Sequence, residues 1–107
     1  MTDAEGSASG RIHEGEDGTL RRTATIVNSR GLHARAAAKF VKKTEEFAAD
    51  VVVRNGDLEV SGRSIMGLLM LAASPGKTIE MRATGAQARD ALQALAQLID
   101  DKFHEAD

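Results

Sequence analysis

Apolar and polar positions along residues 23–103 follow two different periods. Thr23-Ala24-Thr25-Ile26-Val27 alternates and is rich in β-branched residues, which predicts a strand. From Ala34 to about Phe47 the apolar positions move to helical spacing, with Ala37, Phe40, Val41, Thr44, Phe47 and Ala48 on one stripe and Lys39, Lys42, Lys43, Glu45 and Glu46 opposite. Asp50–Arg54 predicts a second strand. Asn55-Gly56 predicts a tight turn, and Asp57–Val60 a third strand closing a hairpin. Ile65–Leu71 is a short apolar helix with Ser64 where an N-cap belongs. After a Pro75-Gly76 turn, Thr78–Ala83 alternates cleanly as a fourth strand, and Ala86 to about Phe103 is the most regular amphipathic helix of the chain.

The predicted order is β-α-β-β-α-β-α. This is an α+β domain, a four-stranded mainly antiparallel sheet with three helices on one face, since each helix stripe needs an apolar surface to cover. Residues 1–21, rich in Gly, Ser, Asp and Glu, are expected to form a disordered tail, leaving residues 22–104 as the single folded domain.

Composition narrows the chemistry. With 14 basic and 16 acidic residues in 107, no basic excess exists for a nucleic-acid or anionic-membrane surface. Three Phe with no Trp or Tyr cannot build a base-stacking platform. No cysteine means no disulfide, thiolate metal site or cysteine nucleophile, which fits the cytoplasm. Neither a signal peptide nor a membrane insertion segment is expected, because the longest apolar run, Ile65 to Ala73, is far short of the ~20 residues a span requires. Gly76-Lys77-Thr78 lacks the earlier glycine of a P-loop, and His13 and His104 stand apart, so neither an NTP loop nor a metal site is read here.

The chemistry concentrates in Asn28-Ser29-Arg30-Gly31-Leu32-His33-Ala34-Arg35. His33 opens the first helix, where unpaired N–H groups and the positive end of the dipole favour an anion. Gly31 frees the backbone for a sharp approach to that helix. A cation at Arg35 does nothing for the helix dipole and so needs another purpose, and Arg30 adds a second. Together they describe a nucleophilic ring set in an anion site, a place to carry a phosphoryl group. On the short helix, Leu68, Leu71 and Ala72 form the core-facing set. Ile65, Met66, Leu69 and Met70 form an apolar face left for docking.

Gly31-Leu32-His33-Ala34-Arg35 after Thr25-Ile26-Val27-Asn28 resembles the active-site segment of the HPr family, histidine phosphocarriers of the bacterial phosphoenolpyruvate-dependent phosphotransferase system. Ser64–Leu71 resembles that family's regulatory-serine helix. The resemblance spans about residues 22–103 and implies an open-faced β-sandwich. It implies that His33 takes a phosphoryl group on Nδ1 from enzyme I and passes it to enzyme IIA, in sugar uptake or in the nitrogen-type regulatory branch, with Arg35 stabilising the group. Ser64 would match the serine modified by HPr kinase/phosphorylase, and Arg30, Lys42, Ile65, Met66, Leu69 and Met70 would meet the partners. The protein would be a monomeric stoichiometric carrier rather than an enzyme, with no cofactor. Ala36 stands where the family usually has proline. The rival reading is a binding module that acts through Ser64 and the apolar face, with His33 silent.

Overall fold

The computed structural model describes residues 10–105. Five strands and three α-helices follow one another as β1 (His13–Glu14), β2 (Leu20–Thr25), α1 (Ala34–Thr44), β3 (Asp50–Asn55), β4 (Leu58–Ser61), α2 (Ile65–Met70), β5 (Thr78–Thr84) and α3 (Ala88–Asp100). The strands form one sheet in the order β1-β2-β5-β3-β4, antiparallel throughout. Alternation along β5 decides which face is covered. Ile79, Met81 and Ala83 are buried, and register pairs Ala83 with Leu20 and Val51, and Met81 with Val53, all buried. Leu92, Leu95, Ile99 and Phe40 complete the core from the helical layer. This is the open-faced sandwich expected from the sequence.

Four details depart from the sequence expectation. The disordered tail expected over residues 1–21 is contradicted from Gly10 onward. Residues 1–9 lie outside the described residues, but residues 10–21 are built into the sheet. Gly10 N–H donates to Thr23 O (2.8 Å), β1 pairs with β2, and the Asp17 carboxylate accepts from Thr19 N–H (3.0 Å). That backbone hydrogen bond, with the Thr19 hydroxyl, holds the Asp17 carboxyl below its ordinary value. Ile12 packs against the core and Leu20 belongs to it. Composition reads this segment as polar; the open edge of β2 gives it partners.

The hairpin turn is displaced by one residue. Asn55 pairs with Leu58, so the loop is Gly56-Asp57, with Gly56 at φ +63. One glycine at the first loop position is what a type II′ turn asks. Asn55 instead donates from Nδ2 to Leu71 O (2.9 Å), tying the hairpin to the end of α2. α1 stops at Thr44, whose buried hydroxyl turns back to Phe40 O (3.0 Å), so Phe47 packs from the following loop.

The last departure concerns α3, which ends at Asp100. Phe103 is fully buried, as its place on the stripe predicts, but it arrives by another route. Lys102, Phe103 and His104 have φ of 57°, 55° and 59°, a left-handed turn of three non-glycine residues. Each such residue costs about 1–2 kcal/mol. The burial of Phe103 and a 2.6 Å bond from Lys39 Nζ to Phe103 O hold it there.

Candidate phosphoryl-transfer site

The site begins with a backbone constraint. Gly31 has φ +68, and a Cβ there would lie 2.8 Å from Ala73 O. Only glycine fits both the conformation and the approach. Leu32 N–H then donates to Ala73 O (3.0 Å), and Asn28 Nδ2 donates to Gly31 O (2.8 Å), which casts the loop that delivers His33. His33 is the N-cap of α1, with extended backbone (φ −85, ψ −178) and a carbonyl that accepts from Ala37 N–H (2.8 Å). Its side chain makes no capping bond. The N–H groups of the first turn therefore keep their capacity to meet an anion. Arg35 is exposed in that turn, and Ala36 is buried and continues the helix without a break.

The ring of His33 is partly exposed, at 20% of its side-chain surface. Its Nε2 bonds the Glu105 carboxylate, the contact of the molecule that sequence reasoning did not anticipate. Asn28, buried, donates from the same Nδ2 to the other carboxylate oxygen (3.1 Å). With Gly31 O and Glu105 both acceptors, the amide must present its nitrogen to them, which leaves its buried Oδ1 without a partner among the described residues. Burial works against the Glu105 charge. Hydrogen bonds from His33 and Asn28, with the charges of His33 and Arg30, outweigh it and hold the carboxyl below its ordinary value. Arg30 is exposed, and its charge acts on Glu105. The sequence expectation counted only cations around His33, whereas the structure also sets an anion there. Nothing local announces Glu105, which is separated from His33 by 72 positions; the only signal is a carboxylate past the end of the last helix stripe.

The second element singled out in the sequence is α2. Ser64 caps it, its Oγ accepting from Gly67 N–H (2.9 Å). Ile65, Met66 and Met70 are 43%, 68% and 64% exposed. Leu69 departs from the expected set, since it is half-buried and packs against the core. Ala72, expected in the core, is exposed in a left-handed conformation (φ 51°), and Ala73 is buried in its place. The chain reverses here to bring Ala73 under Gly31, which ends the helical register before Ala72. Lys42 is exposed and lines a cavity of about 250 Å³ with Lys39, Lys43, Glu46, Leu98 and His104, so it faces the α3 side of α1. Among the described residues no helix is long and apolar enough to cross a membrane, and no group of three or more His, Cys, Asp or Glu could hold a metal ion.

The frame is a small antiparallel sheet layered under helices, with a histidine opening the first of them. Residues 20–101 match the family model for the PTS HPr component phosphorylation site, and the chain belongs to the HPr phosphocarrier family. It is 43% identical over 88 residues to Phosphocarrier protein HPr of Neisseria meningitidis serogroup A, covering 82% of this chain and 99% of that one. It is 45% identical over 87 residues to Phosphocarrier protein NPr of Shewanella violacea (81% and 96% covered). The crystal structure of HPr-C-His from Thermoanaerobacter tengcongensis superposes with a TM-score of 0.77 at 37% identity, covering 80% of this chain and 97% of that one. This is a family of carrier proteins working with the phosphotransferase system.

Proposed function

We propose that this chain relays a phosphoryl group from phosphorylated enzyme I to an enzyme IIA domain through a phosphohistidine at His33. The observation that carries this is the state of His33 at the head of α1: a partly exposed ring on a helix N-terminus that no side chain among the described residues caps. The nucleophile is Nδ1, since Nε2 already has a partner. First-turn N–H groups and the Arg35 guanidinium stabilise the transferred group as charge develops on it. Arg30, Lys42 and the α2 face, chiefly Ile65, Met66 and Met70 with Leu69 behind them, receive the partner proteins, methionine supplying a surface that adapts to more than one. The carrier acts as a cytoplasmic monomer without a cofactor. Both HPr and NPr stand among its relatives, so sugar uptake and nitrogen-type regulation remain its two candidate branches.

The test is incubation with enzyme I and labelled phosphoenolpyruvate. Acid-labile label on His33, absent from His33→Ala, is expected; an unlabelled parent protein refutes the relay.

A second reading is favoured by the exposed apolar side chains beside Ser64. Phosphate on Ser64 would sit at the N-terminus of α2, electrostatically welcome there, and would charge the docking face without unfolding the helix. HPr kinase/phosphorylase would be the modifying enzyme. Mass spectrometry after incubation with it should find phosphate on Ser64, and an unmodified Ser64 removes this reading.

A further inference from the structure

The contact between His33 and Glu105 has a chemical consequence for the ring. An ionised carboxylate can only accept hydrogen bonds, so the ring nitrogen that meets it must carry the proton. That nitrogen is Nε2. In the neutral ring the proton is then absent from Nδ1, which takes no partner among the described residues and holds a free lone pair.

Glu105 is not placed there loosely. Its side chain is only 10% exposed. One oxygen meets Nε2 and the other Asn28 Nδ2. Its backbone N–H donates to Lys102 O (3.0 Å), closing the left-handed turn. That turn is anchored by buried Phe103 and by Lys39 Nζ on Phe103 O, and Lys39 belongs to α1, the helix His33 opens. Ring and carboxylate are thus referenced to the same helix.

We propose that Glu105 is a positioning residue of the phosphoryl site: held by Asn28 and by the turn that Lys39 pins, its carboxylate keeps the His33 proton on Nε2 and leaves Nδ1 as the attacking atom. This rests on the relay through His33. In the transfer step the Nδ1 lone pair forms the bond to phosphorus. The P–N bond of the donor phosphohistidine breaks, and its electron pair stays on the donor nitrogen. The His33 ring gains one positive charge while Nε2 keeps its proton, and Glu105 faces that charge across the ring from the phosphoryl oxygens. Onward transfer returns the electron pair to Nδ1, and no proton leaves Nε2 at either step. The division of labour parallels the carboxylate that orients the histidine of a catalytic triad.

The test reads the proton directly. Protonated and bare ring nitrogens are well separated in 15N spectra, and amide spectra of the same samples report the fold. With the full chain at a pH where the ring is neutral, the parent is expected to show His33 as a single tautomer with hydrogen on Nε2. Glu105→Ala should convert it to a mixture and slow phosphorylation by potassium phosphoramidate, a donor that needs no docking surface, about tenfold or more. Lys39→Met, which touches neither the ring nor the carboxylate, should shift the tautomer the same way by less, and it decides the matter should Glu105→Ala fail to fold. A parent ring already in mixed tautomers, or a ring state unmoved in folded variants, overturns the proposal. The spectra need no phosphoryl donor, so a failure of the relay through His33 would show separately, as a parent that takes no label.

Discussion

α1 and α2 both open on a residue that can carry phosphate, and they use it in opposite ways. At α2 the Ser64 hydroxyl is spent on the helix, accepting from Gly67 N–H. At α1 the His33 ring makes no capping bond and is turned to Glu105 instead. The same position in a helix thus serves stability in one case and leaves an anion site open in the other. An uncapped terminus forgoes about 1 kcal/mol. α1 can do without it because Ala36, Ala37, Phe40, Val41 and Thr44 bury its other face over eleven residues. α2 has six residues and only Leu68 buried within them, so its cap matters more.

Substitutions should separate the two ends. His33→Ala should abolish acid-labile phosphorylation by enzyme I while the amide spectrum stays folded; residual label of the same stability would point to another acceptor. Arg35→Ala should slow label transfer roughly a hundredfold, the scale for losing one group that stabilises developing charge, with the thermal midpoint nearly unchanged because the side chain is exposed. Transfer at the parental rate would deny Arg35 that part. Ser64→Ala should do the reverse, lowering stability in urea by about 1 kcal/mol while His33 is labelled as before. Equal stability would mean that the Gly67 bond contributes nothing net.

The smallest effect concerns pH. The Glu105 carboxyl lies below its ordinary value in the folded protein, so its contribution is complete above that value and lost as pH falls through the lower, folded one. Acid titration followed through the amide signals of residues 102–105 should show the turn intact through the ordinary carboxylate range and released only at lower pH. Release near neutrality would show that the carboxylate is not held.

The contrast between the ends also explains what was legible beforehand. Ser64, Gly67 and the stripe of α1 are local patterns, and so are Gly31 and His33; each follows from spacing over a few residues. The edge strand at His13–Glu14 depends on β2, and Glu105 depends on a bond across 72 positions, so neither has a short-range mark. Phe103 is instructive because its burial was legible from the α3 stripe while its left-handed backbone was not. Hydrophobic period reports which side chains go inside, and says less about the path by which the backbone takes them there. Leu69 and Ala72 depart from their expected faces for a similar reason, since the spacing of a two-turn helix takes no account of where the chain must turn next.

The approach of Gly31 to Ala73 carries a last consequence, for how the molecule can vary in length. The connector from α2 to β5 serves as the mould for the histidine loop, through Leu32 on Ala73 and through Gly76 N–H on Ile26 O (2.8 Å). One residue inserted between 71 and 76 would shift the histidine loop without altering a single charged group. The same insertion beside Gly56 falls at a hairpin tip where a Cβ would meet nothing within 4 Å. Two neighbouring loops at the same end of the sheet thus differ: the hairpin tip tolerates added length, and the connector from α2 to β5 is held to a fixed count.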